Sequence, residues 1–527
     1  MRLLVLGWDS ATWDLIDPLV ADGRLPVLSR LMASGFRAPL QSTWPPMTDC
    51  AWTSAFSGVN PGRHGIFGSW YRAPGAYACR YFSSRDRRAL ALWEMVEEPR
   101  VLVWNVPMTF PPSSVPGAMV AGYGAPPGAS FCNPPQLQQA LRSRWALDDL
   151  LDRAPHGSLD AFLGDLLRGL EAQAEALPYA ARETGADCVI AVWPHVDRAQ
   201  HFFWRFRATD HPLATAVDRV YEAMDRATGA VIDAFSDADV IVVSDHGAGA
   251  LKADVNLGSW LVDKGLAAPS AATPSLLLRS AWALPPAART LGRRLAPAVA
   301  RRAVGATLTG RLAPFDWSKS VAFVGYQGDL WLNERGREPR GIVAPDARPQ
   351  LLDQISHELG ALEDPSSGDH VFARVYRREE IYSGPAFDMA PDLMLDSWSA
   401  GYRVAPGREP TDGTIVEPAA LAGVDAPWSA DHRPEGIFVA AGPHIVSGSA
   451  ERLSLYDVCP TVLALLESAV PEGLDGRVVW EAIDEAFRER HGVRPGARLG
   501  ERRGRGEYSQ DEAAAVAAHL RALGYIE

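Results

Sequence analysis

Five short apolar runs, each followed by polar residues, constrain most strongly what this chain can fold into. They cover residues 3–6, 100–104, 188–193, 240–243 and 436–441. Apolar runs without polar alternation are typical of strands that are buried on both faces of a sheet. Segments with helical character lie between them, at 24–35, 136–152, 159–184 and 212–235. This alternation predicts an α/β fold, a three-layer αβα sandwich around a mainly parallel central sheet.

The chain has 527 residues, enough for a large α/β domain with insertions. We expect a catalytic core from residues 1–260 and 428–485, with 261–427 as an inserted cap and 486–527 as a charged tail that ends in a helix. The segment 262–312 is rich in Ala, Leu, Arg and Pro, and two interpretations stay open for it: a solvated helical excursion, or a helix that meets a lipid surface or a partner. Mixed α/β structure is expected over 315–427, with strands near 321–333 and 371–376.

Composition argues against several classes of protein. The net charge of -13 disfavours binding of a nucleic-acid polymer or an anionic lipid over the whole surface. Five scattered cysteines without a CxxC pair disfavour both a disulfide framework and a thiolate zinc site. The start lacks the pattern of a secretory signal, and no apolar run reaches the length of a membrane span, so we expect a cytoplasmic protein. The oligomeric state is not indicated.

Acidic residues and histidines follow three of the apolar runs. Asp9, Asp197 and the pair Asp245-His246 each come one to four residues after a predicted strand. Ligands of open α/β sheets bind beyond the carboxyl ends of the strands, so these side chains are expected at one edge. Each acid taken alone is also a candidate helix N-cap. Three such positions together favour a shared site.

The spacing of the acids and histidines favours metal ligands. Asp197 and His201 are four residues apart and would share one face of a helix, although an exposed pair at a helix start is the alternative. Asp245 and His246 are adjacent, which requires a turn, and Gly247 permits one. His432 lies just before the last apolar run. Such sets without thiolates suit zinc or manganese in a catalytic site.

Thr48 is the candidate nucleophile. It follows Pro45 and Pro46 and precedes a helix-like segment. A threonine hydroxyl needs a base or a metal ion to react at neutral pH. The positive end of a helix would also attract a phosphate group to this position. The alternative is a simple helix N-cap.

These segments resemble a known family. WPPMTDCAWTSAFSGVNPGRHGI, at 44–66, resembles the nucleophile segment of the type I phosphodiesterase and nucleotide pyrophosphatase branch of the alkaline phosphatase superfamily. DRAQH, SDHG and DHRPEG follow in the order of that family's metal motifs. The resemblance implies an alkaline-phosphatase-like fold and two divalent metal ions, with zinc expected first and manganese as the alternative.

The resemblance also implies a role for each site residue. One metal would be held by Asp197, His201 and His432, and the other by Asp9, Asp245, His246 and the oxygen of Thr48. Thr48 would attack phosphorus in line and form a phospho-threonine, which water then releases. The implied substrate is a small-molecule phosphate ester, and a phosphodiester or a pyrophosphate is expected.

One position departs from the family pattern. Nucleotide pyrophosphatases carry an Asn at the third residue after the nucleophile, where this chain has Ala51 followed by Trp52. A phosphate oxygen must therefore find another donor, and the backbone N–H of Asp49 is the candidate. This difference puts a nucleotide substrate in doubt.

Nine further residues near the motifs are open to two interpretations. We expect His64 to be structural, His195 and His444 not to be ligands, the three basic residues to lie at the surface unless they contact phosphate, and the aromatic residues to pack in the core unless they wall the pocket. The basic residues are Arg63, Arg198 and Lys252, and the aromatic residues are Phe202, Phe203 and Trp204.

Other functions on the same core stay open. They are phosphomonoesterase, phosphonate hydrolase and phospho-group transferase. A sulfatase is disfavoured because Thr48 stands at the nucleophile position and no C/S-x-P-x-R motif follows, and the flanking motifs do not resemble those of the related mutases. A non-catalytic binding protein of the same fold is the alternative from a different class, and the complete ligand set argues against it. Metal analysis separates the two classes.

Overall fold

The fold is taken from a computed structural model that describes residues 1–72, 75–77, 79–121, 124–126, 128–142, 158–270, 315–325, 328–405, 414–419, 428–492, 495–498 and 500. Most of the segment 262–312 and the helix expected at the end of the chain lie outside the described residues. Both therefore stay predictions.

The strands are numbered in chain order: β1 Leu3–Trp8, β2 Phe36–Gln41, β3 Trp70–Arg72, β4 Cys79–Tyr81, β5 Val101–Trp104, β6 Gly117–Val120, β7 Cys132–Asn133, β8 Cys188–Trp193, β9 Asp239–Val243, β10 Gly247–Ala250, β11 Ala253–Val255, β12 Ala322–Val324, β13 Asp329–Leu332, β14 Arg374–Arg377, β15 Leu393–Asp396, β16 Tyr402–Val404, β17 Val416–Pro418, β18 Ala430–Arg433, β19 Glu435–Ala441, β20 Gly448–Ser449, β21 Leu453–Ser454, β22 Val470–Glu472 and β23 Pro495–Arg498.

The α-helices are numbered in the same way: α1 Trp13–Ala21, α2 Pro26–Ser34, α3 Thr48–Ser57, α4 Pro61–His64, α5 Leu92–Met95, α6 Pro135–Arg142, α7 Leu159–Thr184, α8 His195–Phe203, α9 Ala216–Asp233, α10 Leu257–Asp263, α11 Arg348–Gly360, α12 Arg378–Ile381, α13 Val458–Leu465 and α14 Glu485–His491.

The largest sheet within the described ranges has ten strands in the order β20-β2-β19-β9-β1-β8-β5-β6-β7, with β21 paired to β2. The central strands β9, β1, β8, β5 and β6 are parallel. Every residue of β1, β8 and β9 is buried, as expected for strands covered by helices on both faces. The predicted α/β fold with a mainly parallel central sheet is confirmed.

The five apolar runs all form strands of this sheet, but one of these strands does not run parallel to its neighbours. β19, which contains the run 436–441, is antiparallel to both β2 and β9. A strand that is buried on both faces has the same apolar pattern in either direction, so the sequence pattern does not reveal its orientation.

The helix expectations agree with the structure to within a few residues. The segment 159–184 coincides with α7, whose N-cap Ser158 accepts a hydrogen bond from the N–H of Ala161 and whose C-cap Gly185 is left-handed, so both ends are set by local sequence. The segments 24–35 and 212–235 contain α2 and α9. Of the segment 136–152, residues up to Arg142 are helical and the rest lies outside the described residues.

A second hydrophobic cluster lies beside the main core. It is formed largely by residues between Ala253 and Val404, and it packs around the sheet β12-β13-β15-β14. The strands expected near 321–333 and 371–376 correspond to β12, β13 and β14. Asp392, directly before β15, is buried and accepts hydrogen bonds from Arg337 and Arg348. The expected mixed α/β structure of this region is therefore observed where it is described.

No described helix combines the length and the apolar character that a bilayer crossing requires. The cytoplasmic location stays a prediction.

Candidate active site

Three neighbouring parallel strands carry the candidate residues to one edge of the sheet. β1 lies between β9 and β8, and the strands end at Val243, Trp8 and Trp193. Asp9 follows β1 directly, and Asp245 lies in the turn after β9. Asp197 lies in the first turn of α8, which starts two residues after β8. The predicted convergence at the carboxyl ends of the strands is observed.

The first group of side chains, called the Asp197 cluster, consists of Asp197, His201 and His432. Asp197 Oδ1 lies 3.0 Å from His201 Nε2 and 3.6 Å from His432 Nε2. The two Nε2 atoms are 3.3 Å apart. All three side chains are buried, with 1% exposure each. Three potential ligand atoms thus meet at one point inside the protein.

His432 joins this cluster through long-range backbone pairing. It lies on β18, which is antiparallel to β10, with His432 opposite Ala248. The start of β18 is fixed to the end of α8, because Ser429 donates hydrogen bonds from both its N–H and its hydroxyl to the carbonyl of His201. His432 therefore faces Asp197 although 235 residues separate them in sequence.

The second group, called the Asp9 cluster, consists of Asp9, Asp245 and His246. His246 Nε2 lies 3.2 Å from Asp245 Oδ2 and 3.9 Å from Asp9 Oδ1. Thr48 Oγ1 is 3.4 Å from the same nitrogen. The two clusters touch, since the rings of His246 and His432 stack with their centroids 3.8 Å apart. All seven sequence-predicted site residues thus lie together.

Each of the three carboxylates has one oxygen fixed by a protein donor. Asp9 Oδ2 accepts from Trp52 Nε1 at 3.0 Å, Asp197 Oδ2 from Arg198 Nη2 at 2.9 Å, and Asp245 Oδ1 from the Ser10 N–H at 3.2 Å. The other oxygen of each carboxylate is buried and accepts no hydrogen bond from the described residues. Those three oxygens are the ones that face the imidazole Nε2 atoms. Buried polar atoms without a partner are rare, and a metal ion is one explanation for them.

The three imidazoles are oriented in the same way. The Nδ1 atoms of His201, His432 and His246 lie 2.9, 2.8 and 3.1 Å from backbone carbonyl oxygens. A carbonyl only accepts, so each Nδ1 carries the proton and, in a neutral ring, each Nε2 presents a lone pair. Metal-binding histidines usually make this kind of hydrogen bond with the nitrogen that does not bind the metal.

The charges of the metal-free site are poorly compensated around the Asp9 cluster. Burial raises the pKa of Asp9 well above the ordinary carboxyl range, and repulsion by Asp245 and Asp197 adds to this. Burial also raises the pKa of Asp245. Burial opposes ionisation of Asp197 as well, but the nearby His201 and Arg198 outweigh it and hold its pKa low.

The histidines follow the same physical causes. Burial lowers the pKa of His201 and of His246. For His432 burial is the largest single influence and also lowers the pKa, but the contacts with Asp197, Asp431 and the carbonyl of Pro46 together outweigh it, so its pKa is raised. In the Asp9 cluster the carboxylates therefore prefer to be protonated and His246 prefers to be neutral, which suits a site where a divalent cation competes with protons.

The donor set fits two divalent metal ions. The Asp197 cluster offers two imidazoles and one carboxylate, and the Asp9 cluster offers one imidazole and two carboxylates. Neither cluster contains a thiolate. Such ligand sets suit zinc in a catalytic site and also manganese. The unpartnered oxygens lie 3.0–3.9 Å from the Nε2 atoms, and a divalent cation between them would bind both kinds of lone pair in place of a proton.

Thr48 is the first residue of α3, after the N-cap Met47. It is buried, with 5% exposure, and its hydroxyl faces the Asp9 cluster. The first N–H groups of an α-helix have no intrahelical acceptor, so the start of α3 presents donors beside this hydroxyl. The neighbouring Asp49 is held by Ser69 and Tyr81, and burial raises its pKa to about 6.

The three other histidines considered in the sequence analysis lie outside both clusters. His64 accepts a hydrogen bond from the N–H of Ile66 and pairs with Ser54 Oγ at 2.8 Å, so its structural role is confirmed. His195 is buried beside the site but belongs to neither cluster. His444 pairs with Asp239 at 2.8 Å, at the start of β9 and so at the opposite edge of the sheet.

One expectation about the basic residues is wrong. Lys252 and Arg63 form partly exposed ion pairs with Asp369 and Asp475. Arg198, in contrast, is fully buried, with 0% exposure, and binds Asp197. A charged residue among the polar residues of a helix looks like a surface residue, and the buried carboxylate of Asp197 beside it explains its position.

The aromatic residues after His201 belong to the core. Phe202 and Phe203 are buried against Phe162, and Trp204 packs partly buried against the same core. Core packing was the expected role, and the structure confirms it.

Several supporting residues were not found from the sequence. Trp52 resembles an ordinary core residue, yet it donates to Asp9. Gln200 donates to the carbonyl of Ser10 and accepts from Tyr221, which holds the loop after Asp9. Ser10 has a φ of +66°, which no neighbouring residue signals. These contacts depend on side chains that are far apart in sequence, so no local pattern encodes them.

Comparison with known proteins places this geometry in a family. Residues 3–425 match the family model described as type I phosphodiesterase / nucleotide pyrophosphatase. No curated protein matches the chain significantly. Among solved structures, a mutant of the alkaline phosphatase PafA has 13% identity and a TM-score of 0.50, covering 92% of this chain and 99% of that chain. This likeness supports an alkaline-phosphatase-like fold.

Two other solved structures are similar at lower TM-scores. Murine ectonucleotide pyrophosphatase / phosphodiesterase 5 has 13% identity and a TM-score of 0.48, covering 92% of this chain and 100% of that chain. Phosphonoacetate hydrolase from Sinorhizobium meliloti has 15% identity and a TM-score of 0.48, covering 87% and 94%. The family model covers most of the chain, and the chain therefore belongs to the type I phosphodiesterase/nucleotide pyrophosphatase family of the alkaline phosphatase superfamily.

Proposed function

We propose that this phosphoric ester hydrolase cleaves a phosphodiester or a pyrophosphate bond at a two-metal site, with Thr48 as the nucleophile. The hydrolase class itself follows from family membership. One observation carries the finer proposal: three unpartnered carboxylate oxygens and three imidazole Nε2 atoms converge in two adjoining clusters beside the Thr48 hydroxyl.

The residues divide into two ligand sets. Asp197, His201 and His432 would hold one divalent ion. The Asp9 cluster, together with the oxygen of Thr48, would hold the other. Zinc is proposed first, with manganese as the alternative. Bound metal ions supply positive charge that activates the nucleophile and stabilises the leaving oxygen.

The side chains of this chain do the remaining work. The Thr48 oxygen forms a bond to phosphorus while the bond from phosphorus to the leaving oxygen breaks, and the proton of the Thr48 hydroxyl ends on the leaving alcohol. With a diester substrate, the enzyme-bound phosphoryl group keeps its other alcohol. Water then attacks phosphorus and restores the threonine hydroxyl. Burial of Thr48 limits the access of bulk water before the substrate is bound.

The start of α3 would hold the transferred phosphoryl group. Ala51 is buried and has no side chain that could donate to a phosphate oxygen. We therefore propose that the backbone N–H of Asp49 supplies this contact, since the first turn of a helix presents such donors.

The inserted region would decide specificity. We propose that residues 1–260 and 428–485 form the catalytic core and that 261–427 form a cap. Trp44, four residues before Thr48, packs against Tyr376 at a ring distance of 4.8 Å and against Trp398 at 6.3 Å. The loop that leads to Thr48 therefore packs against the insertion beside β14 and β15. This contact supports a side wall of the pocket built from the insertion.

A hydrolysis panel tests the proposal. It compares bis-p-nitrophenyl phosphate, a thymidine monophosphate nitrophenyl ester, p-nitrophenyl phosphate and a phenylphosphonate ester, with the wild type and Thr48→Ala. We expect the diesters to be preferred and Thr48→Ala to lose nearly all activity. A preference for the monoester would overturn the proposed substrate class.

Two controls separate the hydroxyl from the fold. Thr48→Ser keeps the hydroxyl and should keep measurable activity. Thr53→Ala, on the same helix, removes a hydroxyl that only donates to the carbonyl of Asp49, and it should stay active. Full activity of Thr48→Ala would overturn the mechanism. Metal analysis of the purified protein should find about two zinc or manganese ions per chain.

A further inference from the structure

The two clusters differ in formal charge. The Asp9 cluster contains two carboxylates, and among the described residues no lysine or arginine forms an ion pair with either. The Asp197 cluster contains one carboxylate, and Arg198 pairs with it. In the form that binds a metal, with ionised carboxylates and neutral imidazoles, the Asp9 cluster carries two negative charges, whereas Asp197 and Arg198 together are neutral.

Arg198 is built into the site. It follows Asp197 on α8, its side chain is fully buried, and its Nη2 lies 2.9 Å from Asp197 Oδ2. This contact occupies the oxygen that faces away from the histidines. It leaves Asp197 Oδ1 facing the Nε2 atoms of His201 and His432, so Asp197 is oriented to offer one oxygen.

The aromatic side chain of Trp428 contacts both His201 and Arg198. The ring of Trp428 stacks on His201 with a centroid distance of 3.7 Å and an angle of 23°. The guanidinium carbon of Arg198 lies 5.6 Å from the same ring. A cation near the face of an indole is attracted to it, so Trp428 helps to hold Arg198 in place.

We propose that Arg198 is a positioning residue that orients Asp197 and makes the two metal sites unequal, so that the Asp197 cluster binds its ion more weakly than the Asp9 cluster. A buried positive charge repels a second cation strongly, because the low dielectric of the interior screens it little. This proposal rests on the two-metal site proposed above, but it concerns relative affinity rather than reaction.

Zinc titration of the metal-free protein against a fluorescent chelator tests it. We expect two phases of one equivalent each, separated by at least tenfold in dissociation constant, because the Asp9 cluster carries two more negative charges than the Asp197–Arg198 pair and a tenfold difference corresponds to only about 1.4 kcal/mol. His246→Ala should remove the tight phase and His201→Ala the weak one. A single phase of two equivalents in the wild type would mean that the two sites have equal affinity, and it would overturn the inference.

Substitution of Arg198 separates charge from orientation. Arg198→Gln keeps a hydrogen-bond donor towards Asp197 but removes the positive charge. The weaker of the two zinc dissociation constants should therefore fall, and its ratio to the tighter one should become smaller. Arg198→Lys keeps the positive charge and should keep the ratio of the two dissociation constants. Circular dichroism and the melting temperature report whether each variant is folded. If folded Arg198→Gln shows the same ratio of the two zinc dissociation constants as the wild type, the inference is wrong.

The two proposals fail in different ways. A wild type that binds no zinc or manganese would overturn the two-metal site and this inference together. Binding of two ions without a difference in affinity would overturn only the role of Arg198.

Discussion

Replacement of Trp52 by Phe should weaken metal binding at the Asp9 cluster. Trp52 is fully buried, and its indole N–H donates to Asp9 Oδ2 at 3.0 Å. Phenylalanine keeps most of the aromatic packing and removes only this donor. The carboxylate would then lose the contact that aims its other oxygen at His246.

The size of the effect follows from the kind of hydrogen bond. A hydrogen bond to a charged group contributes about 1.5–3 kcal/mol, and loss of a partner of a metal ligand typically costs about 10- to 100-fold in affinity. The two values agree, since about 1.4 kcal/mol corresponds to tenfold. We therefore expect the tight zinc dissociation constant to rise by about 10- to 100-fold.

Trp93→Phe is the matched control. Trp52 and Trp93 pack on the same residue, Phe56, at ring distances of 5.5 and 5.7 Å. The indole N–H of Trp93 has no acceptor among the described residues. This substitution removes the same atoms without touching a ligand, so it should lower stability but leave zinc affinity within about twofold of the wild type.

The assay is the competitive zinc titration described above, with the melting temperature measured for both variants. If both substitutions weaken zinc binding equally, general loosening of the core explains the result. If Trp52→Phe binds zinc as tightly as the wild type, Asp9 does not depend on this donor and the reasoning is refuted.

Three further predictions concern stability and close packing. Burial lowers the pKa of His64 to about 3, below its ordinary value of 6.5, so the folded protein should lose stability as the pH falls below 6.5, by about 2 kcal/mol at pH 5. The melting temperature of His64→Gln should therefore drop less between pH 7 and pH 5 than that of the wild type. Gly7→Ala would place a methyl group 2.6 Å from Trp52 Cη2, so it should both lower the melting temperature and weaken zinc binding, unlike a substitution that only loosens the core. Asp392→Asn would remove the buried negative charge that pairs with Arg337 and Arg348 and should cost about 3 kcal/mol, seen as a lower melting temperature with zinc affinity unchanged.

The elements that carry the site could be predicted from the sequence because they are encoded locally. Apolar runs that end in polar residues identify β1, β8 and β9. The four-residue spacing of Asp197 and His201 identifies a shared helix face, and α8 has that face. The turn at Asp245-His246 follows from the adjacency of two ligands beside a glycine. In each case a few neighbouring residues specify the backbone, and the backbone fixes where the side chains emerge.

The long-range arrangement could not be predicted in the same way. β19 runs antiparallel where the apolar pattern allows either direction. His432 reaches Asp197 only because β18 pairs with β10 and its start is bound to the end of α8. Pairing between distant segments depends on how the whole core packs, which no window of the sequence contains.

The sequence by itself determined the fold class and the types of residue gathered at the end of the sheet. Tertiary structure alone decided which oxygen of each acid is held and which faces the site. Trp52 and Arg198 look like a core residue and a surface residue, yet both fix a carboxylate. The physical reason is that a hydrogen bond between buried side chains is set by their final positions in space, whereas helix and strand periodicity is set by neighbours along the chain.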